Sequence, residues 1–253
     1  MDSSRKNNPH INFKIPNIQI LLRLRGKVKH AQLNNFHTRY GWILELLDVD
    51  VDHNALKALV KFFDPSLRCF TFQDFQMVPT IEEFERLLNW PLKDSVPFTK
   101  LGESIDASDV VAALNLPVRE VGSMIVERGI PRSFLEKRAE ELAVGEENWI
   151  SFSAILALLI FGVVMFPSHD DEYVSQPAIS VFLLENPVPA LLADMLINIH
   201  TQYAKRKEVV MCCSALLYSW LKSHIPQQGP WVKILENLIW SQKLASLSAS
   251  GVF

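Results

Sequence analysis

Glycine is scarce in this 253-residue chain: there are nine, and the closest two, Gly122 and Gly129, stand seven positions apart. Phosphate cradles of the G-x-G-x-x-G and G-x-x-x-x-G-K-[ST] types need glycines closer together than that, so nucleotide sites of those types are excluded. Cysteine is almost as rare, with Cys69 and the adjacent pair Cys212 and Cys213. An odd count gives no disulfide framework, and neighbouring cysteines bridge poorly. A reducing compartment, nuclear or cytoplasmic, is therefore expected. There is no C-x-x-C and no H-E-x-x-H. The best remaining metal set is His200, Cys212, Cys213 and His224. Consecutive side chains on one helix diverge by about 100°, so no metal is expected, and both thiols are expected to be inert and buried in mid-helix. Neither a G-x-S-x-G elbow nor a D-[ST]-G signature occurs, which leaves no catalytic or cofactor-binding constellation. The opening MDSSRKNNPH lacks the apolar stretch of a secretory signal.

Apolar residues make up 49% of the chain and charged residues 21%, the composition of a folded domain rather than a disordered one. Charge is unevenly spread. Residues 1–40 hold eight Lys and Arg against one Asp, residues 41–150 hold eleven against twenty acidic residues, and the rest is nearly balanced. Residues 1–30 therefore read as a basic arm, poorly ordered or extended, with a short strand allowed by the alternation in IQILLRLRGKVKH. Arg23, Arg25, Lys27 and Lys29 are its candidate phosphate or nucleic-acid contacts, although such arms are more often solvated tails.

From Leu33 the pattern turns helical. Leu33, Phe36, Tyr40, Leu44 and Leu47 share one face, and Leu56, Leu59, Val60 and Phe63 repeat it after an Asp52 cap. Phe70 and Phe72 alternate in a predicted β-hairpin near residues 67–78. Thr80-Ile81-Glu82-Glu83 is a capping box opening a helix that stops near Asn89, and Ser133 to Glu136 is read as a second box. Trp149–Phe166 carries no charge over 18 residues. Its acidic flanks and Ser151 and Ser153 favour a central buried helix, enclosed by the helices of 189–222 and 33–63, over a membrane span. Helices are also predicted around 177–184, over 189–204 and 208–222, and from Trp231. The fold class is mainly α: one globular multi-helix domain over 31–240, with a short Ser-rich tail at 241–253.

Four stretches together resemble a known plant family: RYGWILELLDVDVDHNALKALVKFFDPSLRCFTFQDFQMVPTIEEFERLLNWPL, WISFSAILALLIFGVVMFP, ENPVPALLADMLINIH and VVMCCSALLYSWLKSHIP. They are similar to the legume-expanded domain of unknown function related to the aminotransferase-like plant mobile domain, over about residues 30–240. Phe70, Phe72, Phe75, Pro79, Thr80, Glu82 and Glu83 carry its recurrent signature, to which a structural role is expected. The resemblance implies a helical domain of transposable-element origin. Related host proteins are nuclear, act in transposon silencing and in genome or meristem maintenance, and can partner with phosphatase-like proteins. Aminotransferase chemistry does not follow, because the chain offers no context for a Schiff-base lysine or a pyridoxal phosphate loop.

The expected function is a non-enzymatic protein-interaction module, with no cofactor, no small-molecule ligand and no membrane. Two alternatives stand beside it: a cryptic hydrolase or transferase built on the polar residues of Asp74 to Glu85 or on the His200/His224 region, and a weak nucleic-acid binder using the basic arm. The resemblance fades after Trp240, so the chain is expected to be a truncated copy. Trp231, Ile234, Leu235, Leu238, Ile239 and Trp240 would then be under-packed.

Overall fold

The computed structural model describes residues 11–73, 75–90, 105–117, 119, 124–184, 186–205 and 209–224. It is a mainly helical single domain with three small sheets. The N-terminal half carries β1 (Asn12–Phe13), α1 (Gln19–Arg25), α2 (His30–Tyr40), a 3-10 helix (Ile43–Asp48), α3 (His53–Val60), β2 (Phe63–Asp64), β3 (Cys69–Thr71), β4 (Gln76–Met77), α4 (Ile81–Leu88) and α5 (Ala107–Leu114). Then come β5 (Gly129–Pro131), α6 (Arg132–Leu142), α7 (Trp149–Ile160) with a π-helical turn (Phe161–Met165), β6 (Tyr173–Ser175), α8 (Gln176–Phe182), α9 (Val188–Lys205), β7 (Val209–Val210) and α10 (Ser214–Ser223).

Helix α7 is apolar on every side, and Ser151 to Ile160 are all buried along it. Its two serines find partners inside: the Ser151 hydroxyl donates to the Asn115 carbonyl at 2.8 Å, and Ser153 donates to Ile150 at 2.9 Å. At its end the Phe166 amide reaches the Phe161 carbonyl at 2.8 Å, five residues back, which widens the last turn. Around α7 pack α1, α5, α6, α8 and the 3-10 helix. This corrects part of the expected enclosure. The 33–63 region supplies its 3-10 helix, whereas α9 and α10 pack mainly on α4, and α10 also on α3. Among the described residues no helix is long and apolar enough to cross a membrane.

The expected extended arm is also corrected. Residues 19–25 form a helix with Leu21 and Leu24 fully buried. The alternation of Ile18, Ile20, Leu22 and Leu24 fits a strand, but Leu21 and Leu24 three positions apart fit a helical face, and packing against α7 decides between the two periods. Upstream, β1 pairs in parallel with β7, Asn12 opposite Val209 and Phe13 opposite Val210, so residues 11–13 join the core beside α3. Residues 1–10 lie outside the described residues.

The predicted hairpin is a three-stranded antiparallel sheet in the order β2-β3-β4, since Phe63-Asp64 adds a strand opposite Phe70-Cys69. The second capping box does not form. Strand β5 runs directly into α6 with Pro131 at the cap position, and Glu136 binds Arg132 Nε at 2.5 Å instead of reaching back to Ser133. Strand β5 pairs with β6, and Gly129 (φ +125°) lies against the Val174 carbonyl, where a side chain has no room. The predicted helix over 208–222 is divided: Val209-Val210 is strand, Met211 to Cys213 is a loop, and α10 begins at Ser214. The helix expected from Trp231 and the under-packed residues 231–240 lie outside the described residues, as do the tail 241–253 and residue 74.

Candidate functional site

The segment that carries the resemblance runs from a buried part to an exposed one. In the buried part, Phe70 is fully enclosed, with its ring 5.6 Å from Phe63 and 5.9 Å from Trp220. Pro79 is buried as well. Thr80 and Glu83 form the predicted capping box: the Glu83 amide donates to the Thr80 hydroxyl at 3.3 Å, and the Thr80 amide donates to Glu83 Oε2 at 2.9 Å. The same Glu83 oxygen accepts the indole N–H of the fully buried Trp220 at 3.0 Å, and Oε1 lies 2.9 Å from His224 Nε2. One carboxylate thus caps α4 and pins it to α10. Burial opposes the charge on Glu83, but the Thr80 amide, the Trp220 indole and His224 together hold its carboxyl below the usual range. A depressed folded value means that the latch is fully present above the unfolded pKa and is lost as pH falls through the folded one.

Glu83→Ala is expected to cost about 2 to 4 kcal/mol, since it removes a cap and leaves a buried indole N–H unpaired. Exposed Glu82→Ala should stay within about 0.5 kcal/mol. Urea melts of both variants check this, and equal losses would show that Glu83 contributes nothing beyond its charge at the helix end.

Flanking the strands of the small sheet, Phe62, Phe72 and Phe75 stack in a row, with centroids 4.6 Å and 4.7 Å apart and interplanar angles of 24° and 18°. Phe62 is buried, Phe72 is half-buried, and Phe75 is 52% exposed. Leu67, in the turn between β2 and β3, is exposed too. The alternation of Phe70 and Phe72 in the sequence does not show this row, because Phe62, Phe72 and Phe75 all lie outside the strands.

The other sequence candidates are spread over the molecule. Arg23 pairs with Glu140 at 2.6 Å, while Arg25 pairs with Asp48 and lies 3.7 Å from Glu45. Lys27 and Lys29 border a small crevice beside Trp149 and Phe152. At least two of the four cations are thus engaged by carboxylates, which leaves the group short of a phosphate clamp. Cys212 and Cys213 are buried but not in mid-helix, for they precede α10. Burial pushes the Cys213 thiol up to about 12, against the pull of the Leu216 and Ala215 amides, and drives Cys212 well above its ordinary value. Among the described residues no three His, Cys, Asp or Glu side chains are grouped to hold a metal ion.

The hydrolase alternative meets one suggestive contact, since the Ser223 hydroxyl lies 3.2 Å from His224 Nδ1 and His224 Nε2 faces Glu83. That hydroxyl donates to the Trp220 carbonyl at 2.7 Å and sits in the last turn of α10. The carbonyl end of a helix repels a developing oxyanion instead of stabilising it. Asp74 lies outside the described residues. A cleft of about 820 Å3 opens elsewhere, between the ends of α2 and α8 and the side of α5, walled by Tyr40, Trp90, Phe161 and Phe182. No sequence pattern points to it, because its walls come from five separate segments.

Residues 21–253 match the family described as Domain of unknown function (DUF7745). The chain belongs to that family. The DUF7745 match takes in α1 from Leu21 on and runs past Trp240, the expected end of the resemblance, through the last residue. No curated protein and no solved structure matches the chain. Among the described residues, the segment from Phe62 to Glu83, with its Glu83 latch to α10 and its exposed Phe75, is the feature that most resembles a built site.

Proposed function

We propose that this DUF7745 domain is a non-enzymatic protein-interaction module whose contact surface is the stacked row Phe62, Phe72 and Phe75 beside the small sheet. The supporting observation is the stacked series Phe62, Phe72 and Phe75, which runs from the core to an exposed ring. Aromatic side chains held by their neighbours bury large area at small entropic cost, which is why they anchor interfaces. A transposable-element origin, a nuclear location and a phosphatase-like partner are the finer parts of this reading, and they rest on the resemblance to the plant mobile domain. A link to transposon silencing or genome maintenance follows from the same source.

The test is affinity purification from plant tissue with wild type and Phe75→Ser in parallel. Truncating one exposed ring should leave the melting temperature within a degree or two, as surface changes do, while a recurrent partner is depleted at least tenfold, corresponding to roughly 1.4 kcal/mol or more at a hot spot. Equal recovery with both baits would place the contact elsewhere. For the nucleic-acid alternative, the paired Arg23 and Arg25 argue against tight phosphate binding. Affinity for DNA that falls steeply with salt and disappears in Arg23→Gln/Arg25→Gln would restore it.

A further inference from the structure

The cleft of about 820 Å3 falls within the size range of small-molecule sites, roughly 300–1,000 Å3. Trp90, Phe161 and Phe182 give it an aromatic lining, and Phe161 stands at the π-helical turn where α7 widens. Rings meet edge to face in its wall, Phe161 with Phe182 at 5.4 Å and with Trp90 at 6.3 Å.

Its polar groups are unevenly satisfied. The Asn186 side-chain oxygen accepts the Val188 amide at 2.8 Å and so caps α9, which fixes the amide orientation and leaves Nδ2 as a donor. That Nδ2 is buried and has no partner among the described residues, and the same holds for the Tyr40 hydroxyl. Burial pushes the Tyr40 phenol up to about 12, so the hydroxyl keeps its proton and is also available to donate. At the rim, the exposed Arg39 guanidinium lies 5.3 Å from the Tyr40 ring centroid, and no described carboxylate pairs with it. Two unpartnered donors and one unpaired cation thus border one aromatic cleft. Buried donors without acceptors are costly in a native fold, and a ligand acceptor relieves that cost.

We propose that this cleft binds a small aromatic carboxylate. The ring lies among Trp90, Phe161 and Phe182, and the carboxylate is held by Arg39 and by the donors of Tyr40 and Asn186. Both donors are closed to solvent in the empty cleft, so contact with them requires side-chain movement in its wall. Asp109, exposed at the edge of the same cleft, disfavours a second negative charge on the ligand.

The test uses the full chain and three probes with one ring system in calorimetric titrations: 2-naphthoate, its isostere 2-naphthamide, and the smaller 2-naphthylamine. The expected order is naphthoate tightest and amine weakest. Arg39→Gln should weaken naphthoate by about tenfold and leave naphthamide unchanged, since a charge-assisted bond is lost only with the acid. Tyr40→Phe should weaken both by about two- to tenfold, while the ligand-free protein melts no lower because an unpaired hydroxyl has gone. Ala112→Trp, from an exposed position in the lining, fills the cleft and should abolish binding while the circular dichroism spectrum is kept. Absence of naphthoate binding at millimolar concentration, preference for the amine, unchanged naphthoate affinity in Arg39→Gln, or binding that survives Ala112→Trp overturns the proposal.

Discussion

Leu158→Asp is expected to leave the protein unfolded or destabilised by on the order of 3 kcal/mol or more, because it places an unpaired charge in a close-packed interior. Leu158 has no exposed surface, and its helix is buried along ten consecutive residues. Trp149–Phe166 itself carries no charged residue to pair with the new carboxylate. Leu158→Ala separates size from charge. It should cost about 2–5 kcal/mol as a cavity, and the penalty of the Asp variant should exceed it at pH 8 and approach it in acid, where the carboxyl is neutral. Urea melts at both pH values provide the measurement. Equal stability of wild type and Leu158→Asp would mean that α7 is not the centre of the core.

Asp194→Asn is expected to have the opposite sign. Asp194 lies on α9 beside the buried Cys212 and Cys213, and burial raises its carboxyl to about 7, against the help of the Asn198 amide at 2.9 Å. A carboxyl whose folded pKa is raised stabilises the fold fully below its unfolded pKa. That stability is lost as pH rises through the folded value. Wild type should therefore lose stability between about pH 4 and pH 7 through this residue, and by alkaline pH the shift of roughly three units corresponds to about 4 kcal/mol at most. Asp194→Asn removes the charge and keeps the shape, so the difference between variant and wild type should be small at pH 4 and should grow in favour of Asn up to pH 8. A difference independent of pH would show that Asp194 is ionised in the native state without penalty.

Local chemistry was legible wherever one turn of chain decides the outcome. The Asp52 cap holds the Asn54 and Ala55 amides at 2.9 and 3.1 Å, the Thr80–Glu83 box forms, and α4 ends at Asn89 in a left-handed conformation. The apolar run of α7 announced its own burial. The outcome differed where two local rules competed. In residues 18–25 a period of two and a period of three fit the same leucines, and the choice was made by α7. In residues 208–222 the β-branched pair Val209-Val210 favours strand, and pairing with β1, nearly two hundred residues earlier, fixes it. That pairing also moved Cys212 and Cys213 from a helix interior to its entrance.

Legibility of the candidate site follows the same line. The sequence assigned Glu83 to a helix cap, which it is, but its contacts to Trp220 and His224 span more than 130 positions and leave no local trace. The basic cluster was visible as four cations. Its partial neutralisation was not, because Glu140, Asp48 and Glu45 come from other elements.

A contact surface at the Phe62–Phe72–Phe75 row, on a segment latched to α10 through Glu83, is tested most directly by hydrogen–deuterium exchange on the domain with and without its captured partner. The amides of residues 62–73 and 75–77 should gain protection in the complex, while those of α4 and α10 stay slow in both states because the Glu83 latch is already closed. Protection confined to α1, α6 or the walls of the aromatic cleft, with no change across the small sheet, would contradict it.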